Sequence, residues 1–166
     1  AAFIDSDGYI TLDRNMNPRV GLVATGQRGR VFMEEMHKSI GFGRMHLDQK
    51  SPQDTRLINR LNFYSQDDVT CLLTKCLPHF RLKKGNAKLL LELIRMKKSY
   101  KKADWYKDRC DEIFKLMKWE NHKDHVGFDW AKENIYLDDI AKLQGNCKMS
   151  LMDELENIGG IVLKEE

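Results

Sequence analysis

The chain has 166 residues, of which 42% are hydrophobic and 32% are charged, and its net charge is only +3. This length and composition predict one soluble globular domain with a substantial core. We expect no membrane partner, since no run approaches the roughly 18 consecutive apolar residues of a membrane helix. No signal peptide is visible. The chain lacks an initiator Met and begins inside an apolar segment, so we expect residues upstream of Ala1.

The charge is divided unevenly along the chain. Residues 1–109 carry 21 Lys and Arg against 12 Asp and Glu, whereas residues 110–166 carry 7 against 13. The densest basic stretch, residues 80–109, has 11 basic and 3 acidic side chains. A basic body of this kind favours a polyanionic partner, although a solvated helix face explains the charge equally well.

The cysteines indicate a compartment but no site. Cys71, Cys76, Cys110 and Cys147 show neither CxxC nor zinc-type spacing. We therefore expect free thiols in a reducing compartment, either the cytoplasm or the interior of an organelle such as a chloroplast or mitochondrion.

In chain order, the first elements predict a helix end and a β-hairpin. Residues 1–4 look like the last turn of a helix, and residues 9–14 alternate with Ile10 and Leu12 on one face. Turn residues at 15–18 lead into a second strand at 19–25. The parity of this strand is ambiguous because both of its faces are apolar. Residues 30–40 then show helical spacing, and Gly41 ends that helix.

A second hairpin and helix follow. Residues 44–48 and 56–64 alternate around a loop at 49–54, and Asn59 is the polar exception on the inner face. Ser65 is the predicted N-cap of a helix that runs to about residue 77. Further helices are predicted at about 86–97 and 104–117. This αββαββα order predicts an α+β core with an antiparallel sheet over residues 1–118. We expect an acidic C-terminal extension at 119–166 to pack on that core, with one candidate helix at 135–143 and another that begins in 152–163 and ends at its glycines.

The opening segment, AAFIDSDGYI, puts two carboxylates where the first helix ends. A carboxylate at a helix C-terminus is unfavourable by roughly 0.3–1 kcal/mol, so Asp5 and Asp7 need a reason to be there. A calcium loop is one alternative, but no Glu follows at the spacing that such a loop requires. A solvent-facing Asp-Gly turn is the other.

AAFIDSDGYI resembles the signature of the LAGLIDADG homing endonucleases. Ala1 and Ala2 stand at Ala-Gly of the signature, residues 3–4 at Leu-Ile, and residues 5–8 at Asp-Ala-Asp-Gly. LPHFRLKKGNAKLLLELI (77–94) and FMEEMHKSIGFGRM (32–45) are similar to two further family segments. The resemblance covers residues 1 to about 100 and departs from the family mildly at Ala2 and Ser6.

The resemblance implies an active site at the end of the first helix. Asp7 and the backbone carbonyl of Ser6 would bind Mg²⁺, or Mn²⁺ or Ca²⁺ in the same place. Lys83 would be a catalytic basic residue beside it. The polar position after the second strand falls on Thr25, with Gln27 as a neighbouring catalytic candidate. Since one signature is present, two chains would pair as a homodimer through Ala1, Ala2, Ile4 and Asp5.

The resemblance also implies that the saddle sheet lies in the major groove of double-stranded DNA. Strand parity puts one set of residues on its outer face: Tyr9, Thr11, Asp13, Arg44, His46, Asp48, Arg56, Ile58, Arg60 and Asn62. Arg28, Arg30 and Lys84 are further candidate DNA contacts. The implied activity is a metal-dependent, staggered double-strand break at a long near-palindromic site. An intron RNA splicing maturase and a non-catalytic DNA-binding protein on the same scaffold stay as alternatives.

Overall fold

The structure is a computed structural model, and it describes residues 1–51, 54–125, 127, 129, 131, 132 and 135–146. The chain forms two compact units, Ala1–Lys84 and Gly85–Glu166. Among the described helices, none has the length and hydropathy that a bilayer crossing requires. The predicted division into a core of 1–118 and an extension of 119–166 stays a prediction.

The first unit confirms the predicted α+β fold. Its elements are α1 (Ala2–Asp7), β1 (Gly8–Leu12), β2 (Pro18–Thr25), α2 (Gly26–Ile40), β3 (Arg44–Ser51), β4 (Asp54–Phe63) and α3 (Gln66–Cys76), followed by a 3₁₀ turn at Leu77–His79. The four strands form one antiparallel sheet in the order β1-β2-β4-β3. Both hairpins therefore lie in the same sheet.

The inner face of the sheet is the core of this unit. Ile10 of β1 pairs with Val20 of β2, and Val20 pairs with Phe63 of β4. All three side chains are fully buried. This register confirms the predicted inward face of β1 and assigns Val20 and Leu22 to the inner face of β2. The helices α2 and α3 contact the strands of this sheet.

The helix α2 begins earlier than predicted, at Gly26 rather than residue 30, directly after β2. Gly26 makes the turn with a φ of +72°, a conformation in which glycine is unstrained. A Cβ on Gly29 would lie 2.9 Å from the carbonyl carbon of Ala24, so glycine lets the helix pack closely on the end of β2. The polar first turn carries no apolar period, which is why the sequence pattern missed it.

The strand β3 also differs from the prediction, because it contains a bulge and continues to Ser51. Residues 44–46 pair with β4 in one register, and Gln49 and Lys50 pair in a register shifted by one residue. Asp48 lies in the bulge with a φ of +53°. Its backbone N–H donates to Oδ1 of the fully buried Asn59, at 3.0 Å. A bulge adds one residue and so reverses the alternation beyond it.

The second unit is helical, with α4 (Lys84–Ser99) entering it, then α5 (Tyr106–His122) and α6 (Leu137–Asn146). These helices confirm the predictions at 86–97, 104–117 and 135–143. Arg109 of α5 pairs with the buried Glu92 of α4 at 2.9 Å. The candidate helix at 152–163 lies outside the described residues, as does Cys147. The other three cysteines are free thiols, as predicted.

Candidate active site and DNA-facing surface

Asp7 is the last residue of α1, and its side chain is exposed. The Ser6 hydroxyl donates to Oδ2 of Asp7 at 3.0 Å. Gly8 follows at a point where only glycine fits, because an added Cβ would lie 2.7 Å from the Cα of Ile4 and 2.9 Å from the carbonyl oxygen of Gly21. This close approach turns the chain sharply from α1 into β1 and leaves Asp7 at the free end of the helix.

Lys83 neutralises the carbonyl end of α1. Its ammonium Nζ donates to three backbone carbonyl oxygens: Ile4 at 2.7 Å, Asp5 at 2.6 Å and Gly8 at 2.9 Å. A lysine ammonium has three N–H donors, so these contacts use all of them. Burial lowers the pKa of Lys83, and the charges of Asp5 and Asp7 oppose that shift. A cation at this position offsets the unfavourable interaction of the two carboxylates with the helix end.

Asp5 differs from Asp7 because it is buried. Its Oδ2 accepts the backbone N–H of Arg81 at 2.8 Å, and its Oδ1 accepts that of Lys83 at 2.9 Å. Burial raises the pKa of this carboxyl group, but the backbone N–H groups of Arg81, Lys83 and Leu82 outweigh burial and leave the pKa below its usual value of 3.8. Asp5 therefore joins α1 to the segment before α4.

The predicted dimer contacts on α1 need a correction. Ile4 and Asp5 are buried in the chain itself, so they are not available as a free face of the helix. Besides Asp7, the exposed positions of α1 are Ala2 and Ser6, one helical turn apart, while Ala1 is half-buried. A groove of about 830 Å³ runs beside Ala2 and Ser6 and is also lined by Leu82, which is 77% exposed. The sequence pattern missed Leu82, although an apolar residue between Arg81 and Lys83 is a signal.

The described residues of one chain do not supply enough ligands for a divalent metal ion, so the remaining ligands must come from outside that chain. Within the part of the chain that the structure describes, no group of three or more His, Cys, Asp and Glu could hold a metal ion. Asp7 offers one exposed carboxylate, since both oxygens of Asp5 already accept backbone N–H groups. Mg²⁺ is commonly held by one or two carboxylates, waters and substrate phosphates, so one carboxylate per chain matches its chemistry.

The start of α2 holds the other predicted catalytic and basic residues. Thr25 is its N-cap residue, and Thr25, Gln27 and Arg28 are all exposed. Arg30 is engaged in ion pairs with Glu34, at 3.0 Å, and with Asp48. The prediction that Asp48 points outward is therefore wrong, because the β3 bulge directs its carboxylate to α2.

The outer face of the sheet carries most of the predicted base-reading residues. The register places Tyr9, Thr11, Arg44, His46, Ile58, Arg60 and Asn62 on this one face. Arg19, opposite Thr11, and Gln49, opposite Ile58, share the face and were missed. Arg19 was missed because the parity of β2 was ambiguous in the sequence, and the inward-facing Val20 now assigns Arg19 to the outer face. Gln49 was missed because the bulge in β3 turns it outward.

Two contacts organise the side chains on this outer face. The Tyr9 hydroxyl donates to Oδ1 of Asn62 at 2.8 Å, and the Tyr9 ring covers Gly21, where a Cβ would lie 2.3 Å from the ring. Arg60 donates to Oε1 of Gln49 at 3.0 Å. Polar and cationic groups in fixed positions suit hydrogen bonding to base edges.

Other predicted DNA contacts lie elsewhere. Asp13 follows the end of β1 and caps the hairpin turn, because its carboxylate accepts the backbone N–H groups of Asn15 and Asn17 and pairs with Arg19 at 3.2 Å. The prediction of Asp13 as an outward strand residue is therefore wrong. Lys84 is exposed at the start of α4. The Arg56 side chain lies outside the described part of the structure.

Comparison with known proteins identifies the fold. No protein-family model and no curated protein sequence matches the chain. Among solved structures, the homing endonuclease I-CvuI, in complex with the I-CreI target in the presence of 2 mM Mg with the DNA not cleaved, is 20% identical. It has a TM-score of 0.57, and the match covers 86% of this chain and 90% of that one.

Two further DNA complexes match with a TM-score of 0.56. The archaeal intron-encoded homing endonuclease I-Vdi141I is 16% identical, over 86% of this chain and 92% of that one. The LAGLIDADG meganuclease I-AabMI, bound to uncleaved DNA, is 13% identical, over 80% of this chain and 46% of that one. The chain has the fold of the LAGLIDADG homing endonucleases, as its signature segment predicted.

Proposed function

We propose that this chain is a site-specific DNA endonuclease that acts as a homodimer and makes a metal-dependent, staggered double-strand break at a long near-palindromic site. One observation carries the proposal. The exposed carboxylate of Asp7 lies at the end of α1, where the Lys83 ammonium binds the surrounding backbone carbonyls. The solved structures of the same fold that match this chain include complexes with DNA.

Asp7 and the backbone carbonyl of Ser6 would hold the divalent cation, with Mg²⁺ as the physiological choice. Such an ion supplies charge neutralisation at the phosphate and lowers the pKa of water. Lys83 contributes through its charge, since its three donors already bind backbone carbonyls. Thr25 and Gln27, both exposed, are the candidates for orienting water. The I-CvuI complexes with Ca and with Mg support a divalent cation in general.

A homodimer is supported by the chemistry of the site and by the exposed face of α1. One chain offers a single exposed carboxylate at the end of α1, and a second copy would supply another. Ala2 and Ser6 leave an exposed small-residue face on which two α1 helices can approach more closely than the usual 8–10 Å.

DNA recognition is assigned to the outer face of the sheet. Most of its named side chains are polar or cationic, with Ile58 as the apolar exception, and Arg28 and Lys84 are exposed cations suited to phosphates. Arg pairs with guanine in the major groove, so Arg44 and Arg60 are the proposed base readers, while the buried Asn62 holds the Tyr9 hydroxyl. RNA is a poorer partner because its deep, narrow major groove would not admit a sheet.

The test is a cleavage screen. Wild-type protein is incubated with a randomised near-palindromic DNA library and Mg²⁺, and the cut ends are sequenced. Asp7→Asn should keep DNA binding and lose cleavage. Asp68→Asn, the same charge change in the first turn of α3, should keep both. DNA binding by the wild type without cleavage at any divalent metal would contradict nuclease activity and favour a non-catalytic DNA-binding protein.

A further inference from the structure

Five hydrogen bonds join α1 and its C-cap residue Gly8 to the segment 81–83, and they run in two directions. The carboxylate of Asp5, on α1, accepts the backbone N–H groups of Arg81 and Lys83. The ammonium of Lys83, on the segment, donates to the backbone carbonyls of Ile4, Asp5 and Gly8. Asp5 and Lys83 thus each fix the backbone of the other, and we call this arrangement the reciprocal clamp.

The clamp places the Lys83 ammonium beside Asp7, and Asp5 makes that placement specific. A lysine side chain has four flexible carbons, so its charge is located only where its backbone and its donors are both held. Asp5 holds the backbone on both sides of Leu82, at 2.8 and 2.9 Å. Hydrogen bonds to a charged acceptor contribute roughly twice as much as neutral ones, so the carboxylate matters more than an amide of the same shape.

We infer that Asp5 is a positioning residue of the site: by binding the N–H groups of Arg81 and Lys83, it sets the position from which Lys83 reaches the end of α1. The inference rests on the proposed function for its effect on cleavage, but the clamp itself is a property of the free chain. Asp5 acts through Lys83 and need not touch DNA or metal.

A double-mutant cycle tests whether Asp5 acts through Lys83. Single-turnover cleavage is measured for wild type, Asp5→Asn, Lys83→Met and the double variant, with Asp68→Asn as the charge-matched control. Asp5→Asn should slow wild-type cleavage by about 10–100-fold, the usual range for residues that orient a metal-site group. In the Lys83→Met background it should change the rate by less than about 3-fold, since there is no ammonium left to place. If the two losses multiply, the inference is overturned.

Amide hydrogen exchange provides a readout without DNA or metal. Asp5→Asn should speed exchange of the Arg81 and Lys83 amides, while Asp68→Asn should leave both unchanged. Unchanged exchange in Asp5→Asn would overturn the clamp even if cleavage fell. If wild type cuts no DNA, the proposed function fails, and the exchange rates still decide the clamp. Asp5→Glu keeps the carboxylate, should show intermediate exchange, and replaces Asp5→Asn in both experiments if that variant does not fold.

Discussion

The ammonium of Lys83 donates to the carbonyl oxygen of Gly8 at 2.9 Å, a contact between residues 75 positions apart. It fixes the point where α1 passes into β1, one residue after Asp7. Two carboxylates at the end of a helix are therefore accompanied by a half-buried cation, which offsets part of their charge in the free chain.

Lys83→Met should slow Mg²⁺-dependent cleavage by about 10–100-fold while weakening DNA binding much less. The variant keeps an unbranched side chain of nearly the same length but removes the charge beside Asp7 and the donor to three carbonyls. Single-turnover rates and titrations of labelled DNA measure the two effects. Lys75→Met, at an exposed position in the last turn of α3, is the matched control and should change neither. A Lys83 variant that loses binding and cleavage equally would make Lys83 a phosphate contact.

Ala2→Leu should weaken the homodimer without unfolding the chain. Ala2 is exposed in the single chain, so a larger side chain is tolerated there, but it would hold two α1 helices apart. Sedimentation should report a dimer for the wild type and a larger monomer fraction for the variant. Ala141→Leu, at an exposed position of α6, is the control. A wild type that stays monomeric on its DNA site would contradict the symmetric arrangement.

Tyr9→Phe should alter base preference at one position of each half-site. Removing the hydroxyl breaks its 2.8 Å hydrogen bond to Oδ1 of the buried Asn62, so the Tyr9 ring is no longer held in place on the outer face. Side-chain contacts to one base contribute about 1–3 kcal/mol of discrimination, so a displaced contact is large enough to detect in a binding-site selection. Tyr136→Phe, at an exposed position before α6, is the control. An unchanged selection profile would mean that Tyr9 does not face a base.

We expect the unfolding free energy of the Asp13→Asn variant to fall less in acid than that of the wild type. Hydrogen bonding from the Asn17 backbone, opposed by burial and helped by the Asn17 side chain, the Asn15 N–H and Arg19, lowers the pKa of Asp13 below its usual value of 3.8. Because the folded-state pKa is the lower one, this stabilisation is present above about pH 3.8 and is lost as the pH falls through the folded value. Urea unfolding between pH 2.5 and 7 measures it.

The variant should lose about 1 kcal/mol of unfolding free energy at neutral pH and show a flatter profile below pH 4. Asp68→Asn serves as the control. If the unfolding free energy of Asp13→Asn depends on pH as steeply as that of the wild type, other carboxylates cause the acid sensitivity.

Local patterns in the sequence were sufficient for the framework. The alternation of Ile10 and Leu12 predicted the inner face of β1, and Ser65 predicted the start of α3, where its side chain accepts the N–H of Asp68 at 3.0 Å. The signature segment predicted the fold and put Asp7 at the end of a helix. Each of these features depends on residues within a few positions of one another, so a short stretch of sequence is enough to predict it.

Only the tertiary structure gave the physical reason why Asp7, and not Asp5, is available. The resemblance assigned the metal to Asp7, but no local pattern shows that Asp5 accepts the N–H groups of residues 76 and 78 positions away while Asp7 is exposed. Likewise, only the β3 bulge turns Asp48 from the outer face to Arg30. Hydrogen bonds and register shifts between distant segments depend on how those segments pack together, and a local sequence pattern does not contain that information.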